Sequence, residues 1–274
     1  ICMNRWGPRI GCIILIGMIF MAAAAPLLAP YDPYKDMDTP YLSPGREHLL
    51  GTNDIGQDIL SEIIYGTRTS LAVGSISAVI AIFLGTVIGM VSGWYGGMID
   101  RLFAKITAFF MTLPFLPTMI LLSALTKPGI RMMAVILGVM SWTGTARIVR
   151  SQVLGIRKKE YIQTIKAMGA KNPYILYRHV LRELLPYLMY QGTARVRSAI
   201  LTESSLSFLG LGNAATKSWG TIIYYAQAKN ALLTDRWIWW ILPPGICIIL
   251  VSCALMMITY GLEEQTDGRL ESEG

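Results

Sequence analysis

Charge is the scarcest property of this chain. Asp, Glu, Lys and Arg make up 15% of its 274 residues, against 53% hydrophobic residues. A soluble domain of this length carries about a quarter charged residues, so the composition points to several membrane spans. Histidine is scarcer still. His48 and His179 lie far apart and make no ligand set. The four Cys, at positions 2, 12, 247 and 253, have no CxxC spacing and no His nearby. They read as packing residues, not as a zinc or disulfide site. There is no HExxH, no nucleophile elbow and no complete Walker motif. Residues 212–218 come nearest to a phosphate loop, but Thr216 stands where a Gly must precede Lys217. These absences exclude ATP hydrolysis by the chain itself and leave no candidate catalytic or metal-ligating residue. The formal charge of +7 would suggest nucleic acid in a soluble protein. In a membrane protein it reflects basic residues gathered in cytoplasmic loops, so no nucleic-acid partner is expected.

What is present is a succession of uncharged runs. The chain opens on Ile, so its natural start is expected elsewhere. Arg5 and Arg9 precede an uncharged run over 10–28. Despite the Ala cluster at 22–25, this reads as an uncleaved first span and not a signal peptide. The loop 29–69 holds seven acidic and three basic residues. In it, Gly51, Thr52, Asn53 and Asp54 read as a helix start. Ile55, Ile59, Leu60, Ile63 and Ile64 then form the apolar face of an amphipathic helix on the outer leaflet, or of a surface near a partner. The second span, 71–99, carries Gly74, Ala78, Ala81, Gly85, Gly89 and Gly93 at three- and four-residue steps, a smooth stripe for close helix packing. Asp100, Arg101 and Lys105 mark an interface. A third span over 106–126 should bend at Pro114 and Pro117. The fourth, 132–146, is short, with Arg131 and Arg147 placed to snorkel.

Residues 147–182 hold nine Lys or Arg and one acidic residue, Glu160. That excess puts the segment in the cytoplasm. The fifth span, 184–208, contains Arg195, Arg197 and Glu203. Charges at that depth cost about 2.5–3.5 kcal/mol each on insertion scales and face protein or water. Gln191, Arg195, Ser198, Thr202 and Ser205 fall within about a quarter of the helical wheel, with Glu203 beside them. The stripe reads either as facing a translocation path or a partner, or as part of an Arg–Glu pair between helices. In the sixth span, 237–262, Trp237, Trp239 and Trp240 form an outer aromatic belt, and Pro243 and Pro244 break the first turns. The tail 263–274 is polar and acidic. The division is thus an N-terminal span and outer loop (1–69), a membrane core (70–262) with a cytoplasmic loop at 151–183, and a tail.

The polar island at 160–186 reads as helix, corner, helix. Tyr161, Ile162, Ile165 and Met168 share one face. Gly169 sits where a helix end wants a left-handed residue. Asn172 reads as an N-cap and Pro173 as the first residue of the next helix. Tyr177, Val180, Leu181 and Leu184 lead into the fifth span. An interfacial helix lying on the membrane has the same periodicity. The pattern of Ala167, Gly169, Ala170, Ile175, Leu185 and Pro186 resembles the EAA loop of bacterial ABC-importer permeases. In that family the loop is the coupling helix that docks on the ATP-hydrolysing subunit. The resemblance assigns the docking role to Glu160, Gln163, Lys166, Ala167, Gly169 and Ala170. The triplet itself departs, reading Gln163, Thr164, Ile165, so docking is expected to rest on shape and an apolar face rather than a Glu ion pair.

A second resemblance is more specific. Gly51, Thr52, Gly56, Asp58, Leu60, Ser61, Tyr65, Gly66, Arg68, Ser70 and Leu71 match the peptide/nickel branch of these permeases, with Gln57 in place of the usual Arg. The run from Glu203 to Gly212, with Ser218, Trp219 and Gly220, matches it again. Together the resemblances cover about 30–262 and are closest to the C-type permease. They imply an all-α, six-span fold of the type I importer class, with a coupling helix between spans four and five. They imply a second homologous permease, two ATP-binding subunits that hold ATP and Mg, and an extracytoplasmic solute-binding protein. The chain is then a multi-pass protein of a bacterial or archaeal plasma membrane with both termini cytoplasmic, and it binds no cofactor itself. The solute is a peptide, a nickel chelate or a related small molecule. Gln191, Arg195, Ser198, Thr202 and Glu203 are the expected path residues. The rival readings are an ion- or proton-coupled carrier, to which Glu203 lends weight, and a channel without an ATPase partner.

Overall fold

A computed structural model describes residues 6–35, 39–126, 129–213 and 215–272. Among these the regular structure is helical, with one isolated bridge between Thr52 and Asp58. Helix α1 covers Trp6–Ala23 and α2 Ala25–Leu28. Helix α3, Ile59–Tyr95, is the 37-residue axis of the molecule. It is followed by α4 (Gly97–Thr112), α5 (Phe115–Thr126) and α6 (Ile130–Ile156). The polar island forms α7 (Glu160–Ala167) and α8 (Asn172–Ile175), then a π-helical turn at Leu176–Val180 that runs straight into α9 (Leu181–Phe208). Helices α10 (Trp219–Ala228), α11 (Trp237–Trp240) and α12 (Leu242–Ser272) complete the chain.

The glycine stripe explains the centre of the fold. A Cβ at Gly85 would lie 2.6 Å from Thr145 Cβ, and one at Gly89 would lie 2.6 Å from the Ala146 carbonyl oxygen. One at Gly93 would lie 2.9 Å from the Arg150 carbonyl. Helix α6 answers with Gly138, whose Cβ would lie 2.7 Å from Ile80 Cβ. Only hydrogen fits between these backbones, so α3 and α6 pack along most of their length. Gly74, nearer the start of α3, faces Ile200 of α9 instead.

Three apolar clusters fill the rest. Met18, Ile59, Ile63, Trp219 and Trp240 centre the first, Val73, Met119, Leu137 and Leu206 the second. Trp94, Val149, Val153, Ile156, Ile162, Ile175, Val180 and Leu184 make the third, which backs α7.

Several expectations change. Four helices are long and apolar enough to cross a membrane, and α4 with α5, bent by 82° at Leu113 and Pro114, would make a fifth span. Helix α9 is long enough at 28 residues, about 42 Å, but too polar to qualify on apolarity. The outer amphipathic helix is not separate. Asp58 caps α3, its Oδ2 accepting from Ser61 N at 2.8 Å, so the apolar face of Ile59, Ile63 and Ile64 is the buried first turns of the second span. The fourth span is not short, because α6 continues through Arg147 to Ile156. Lys171, not Asn172, occupies the cap position of α8, which moves Asn172 and Pro173 one place into the helix. Of the tryptophans, Trp237 is exposed, but Trp240 is buried edge-on to Tyr41. The chain breaks at Ile241 and restarts at Leu242 with Pro243 and Pro244 in the first turn, where missing donors cost nothing.

Candidate functional site: a helical corner after α7 and a polar face on α9

The corner after α7 is a complete Schellman motif. Gly169 N donates to Lys166 O at 3.1 Å and Ala170 N to Ile165 O at 3.3 Å. Gly169 has φ +88°, the left-handed conformation that L side chains resist. Ile165 and Ala170, the motif's apolar pair, pack against the third cluster. That cluster joins α7 to α6 and α9, so displacement of α7 is transmitted to both long helices. Nothing lies within 4 Å of a Cβ at Gly169, so a substitution there tests backbone strain alone. Gly169→Val should destabilise the corner by about 1–2 kcal/mol. Gly169→Asn should be nearly neutral, because Asn tolerates this region. Hydrogen exchange at the Ala170 amide would read the difference, and equal protection in the two variants would contradict the strain argument.

The expected apolar face of α7 is divided. Ile162 is fully buried and Ile165 partly so. Tyr161 and Met168 point outward, and Met168 is 82% exposed. Gln163, Lys166 and Ala167 line one groove with Trp94, Arg157 and Ile162. Glu160, Gly169 and Ala170 lie outside that groove, at the ends of the same short helix. Gln163, the departure from the family triplet, spends its amide on Lys158 O at 3.2 Å. Composition did not reveal three further contributors. Arg157 Nη1 donates to Trp94 O at 3.0 Å and ties the groove to α3. Glu183 accepts from Lys159 and, at 2.5 Å, from Tyr161 Oη, which fastens α7 to the base of α9. Partial burial and the Glu183 carboxylate push the Tyr161 phenol up, so it stays a donor. No local sequence pattern signals these contacts, because their partners lie 22, 24 and 63 residues apart.

On α9 the structure separates the expected path residues. Gln191 Nε2 donates to Tyr187 Oη at 2.6 Å. Arg195, Ser198 and Thr202 line one crevice with Ser77, Ala78 and Ala81 of α3 and Leu137 and Ser141 of α6. Ser198 is exposed and Arg195 half-buried. Glu203 is elsewhere and almost fully buried. Its carboxylate accepts from Ser207 Oγ at 2.8 Å and Ser70 Oγ at 3.4 Å, and Ser70 Oγ in turn accepts from Trp219 N at 3.3 Å. It braces α9 against α3 and α10, and no Arg195–Glu203 pair exists. Gly220 permits this closeness, since a Cβ there would lie 2.6 Å from Ser204 O.

The motif before α3 folds into a self-bonded knot that fixes the start of that helix. Asn53 Oδ1 accepts from Ile55 N and Gln57 N, at 3.0 and 2.9 Å. His48 Nδ1 contacts Asp58 Oδ1 at 2.9 Å. Lys217, from the loop before α10, bonds Glu62 at 2.5 Å and Gln57 at 2.6 Å. The Leu206–Gly212 pattern is a second Schellman end, with Gly210 at φ +80° and Leu211 N donating to Leu206 O at 3.0 Å.

Comparison with known proteins places these features in a family. A profile described as "Binding-protein-dependent transport system inner membrane component" matches residues 85–270. One described as "N-terminal TM domain of oligopeptide transport permease C" matches residues 7–44. The dipeptide transport system permease protein DppC of Bacillus subtilis (strain 168) is 36% identical over 262 residues, which cover 95% of this chain and 81% of that protein. The protein of the same description from Alkalihalophilus pseudofirmus is 32% identical, over 96% of this chain and 86% of that one. Among solved structures, an inward-facing conformation of the MetNI methionine ABC transporter matches with a TM-score of 0.60 at 19% identity, over 76% of this chain and 96% of that chain. This last likeness shows the fold alone.

Proposed function

The chain belongs to the binding-protein-dependent permeases of ABC importers, in their peptide branch, and on that premise we propose how its parts divide the work of uptake. It acts as one of two homologous permease subunits. Two ATP-binding subunits hold ATP and Mg at its cytoplasmic face, and an extracytoplasmic binding protein delivers solute to the other. Helices α1, α3, α4 with α5, α6, α9 and α12 make six spans. The basic excess around α7 puts that helix and both termini in the cytoplasm. The solute class is a peptide, a reading supported by the relatives named as dipeptide and peptide transport permeases.

Helix α7 is the coupling helix, with Glu160, Gln163, Lys166, Ala167, Gly169 and Ala170 on or beside its docking surface. One observation carries this reading. A short exposed helix is locked at its corner and backed by the cluster that joins α6 to α9. Movement of α7 by a nucleotide-driven partner therefore moves both spans. The polar face of α9, with Gln191, Arg195, Ser198 and Thr202, lines the path. Glu203 keeps a bracing role, which removes the main support for a proton-coupled carrier.

Co-purification tests the docking. ATP-binding subunits should come down with the wild-type chain. Met168→Asp, which puts a carboxylate on the most exposed apolar tip, should weaken their retention about tenfold or more, since burying a Met side chain is worth about 1.5–3 kcal/mol. Full retention in the variant, or no ATPase partner with the wild type, would refute the assignment. Uptake that survives ATP depletion and stops when the ion gradient collapses would favour the carrier instead.

A further inference from the structure

Arg195 sits near the middle of α9, about 20 Å from either end of that helix. With α9 as a span, this sets a cation at membrane mid-depth, and among the described residues no carboxylate pairs with it. Its Nε is shielded from solvent and has no hydrogen-bond partner. Glu203, the acid nearest in sequence, is committed to hydroxyls on another side of the helix. The guanidinium is nonetheless positioned. It lies over Gly144 of α6, where a Cβ would come within 2.7 Å of Nη2. Around it are hydroxyls and small side chains, with Ser77, Ser141, Ser198 and Thr202 in the same crevice. Gln191 and Tyr187 continue the polar row one and two turns away.

An uncompensated guanidinium at this depth is costly, and the surrounding hydroxyls cannot neutralise it. A planar fork of N–H donors matches one ligand chemistry best, a carboxylate met bidentately. We propose that Arg195 is a specificity-determining residue that receives the free C-terminal carboxylate of a peptide in transit. This rests on the peptide-importer reading and on α9 lining the path. The crevice mixes hydroxyls with Ala78, Ala81, Leu137 and Ala199 but is too narrow to seat a side chain, so the chain would read the peptide's terminus and not its sequence. Half-exposure of the cation keeps the contact weak enough for release.

The test uses the whole importer in proteoliposomes, with binding protein supplied in excess. Uptake of a short peptide with a free C-terminus is compared with that of its C-terminal amide, per assembled complex recovered. Arg195→Gln should lower uptake of the free acid at least tenfold and leave the amide within about twofold. Arg195→Lys should restore a large part of the acid uptake without changing the amide. In a second readout, thiol labelling of Ser198→Cys should be slowed by the free acid but not by the amide. That protection should vanish when Arg195→Gln is added. Run on the detergent-purified importer with peptide added directly and no binding protein, this readout does not depend on what the binding protein accepts. Equal loss of both peptides in Arg195→Gln, or no loss of either, overturns the proposal, the first outcome pointing to a carboxylate on the partner permease. If the wild-type importer moves neither peptide, the peptide-importer reading itself fails and takes the proposal with it. If the Gln variant does not assemble, the Lys variant and the labelling of Ser198→Cys alone decide, and equal protection by acid and amide, or none by either, overturns the proposal.

Discussion

Lys217→Met is expected to lower stability by about 3–5 kcal/mol, the loss typical when one partner of a buried ion pair is removed. Lys217 and Glu62 are 12% and 3% exposed, and Lys217 also bonds Gln57. Asn53 Nδ2 donates to the same Glu62 oxygen at 2.9 Å. Without the ammonium, Glu62 would keep one amide donor and an uncompensated charge beside α3. The pair sits where the first helical turns of α3 meet the loop that leads into α10, so its loss should loosen the outer ends of α3 and α10 together. The double variant Glu62→Met with Lys217→Met should recover most of the loss, because it removes both desolvated charges. Thermal unfolding of the purified protein in detergent would show this as a large fall in Tm for the single variant and a partial return for the double. A single variant that melts with the wild type would mean the pair contributes no more than an exposed surface bridge.

The same residue shows where sequence reading stopped. In the sequence Lys217 belongs to an incomplete phosphate loop, which gives it no role. Its partner Glu62 lies 155 residues away, and no local pattern encodes a pairing at that separation. Features set by one helix alone were legible. Gly169 marks a left-handed helix end, because a glycine followed by an apolar residue is the local chemistry of a Schellman motif. The bend at Pro114 follows from a missing donor within one helix. The glycine stripe gave the packing face of α3, though not its partner α6.

Angular arithmetic on α9 was less decisive. Arg195 and Glu203 are eight residues apart, about 80° around the helix. That is close enough to count as neighbours on a wheel and far enough to meet different helices. Arg195 meets α3 and α6, Glu203 meets α3 and α10. Continuity was also hidden. The polar residues at 51–58 suggested a separate surface helix, but Asp58 caps α3 and the apolar face that follows belongs to the span.

The second large effect is expected at the α3–α6 contact. Between membrane helices apolar burial gives little net drive, since lipid tails are as apolar as Leu, and close van der Waals packing holds the pair. That makes Gly89 more sensitive than a glycine in a roomy site. A Cβ there would meet the Ala146 carbonyl at 2.6 Å and Val149 Cβ at 2.8 Å. Neither is the free end of a flexible side chain, so relief requires the helices to part. Parting them would also open the neighbouring contacts at Gly85 and Gly93 and strain the Asp100–Arg150 clamp, whose Arg150 Nη2 donates to Asp100 Oδ2 at 2.7 Å. Gly89→Leu should therefore cost more than the ~1–3 kcal/mol usual for an overpacked core and leave little folded protein in the membrane. Gly155→Ala, on α6 of the same pair with nothing within 4 Å of the new Cβ, should be neutral or stabilising by up to about 1 kcal/mol. The contrast separates helix propensity from packing, since both changes replace a helical glycine. Thermal melting and membrane yield of the two variants measure it. Gly89→Leu protein that folds and melts like the wild type would show that α3 and α6 can separate freely, and the proposed coupling role of α7 would then lose its rigid connection to α3.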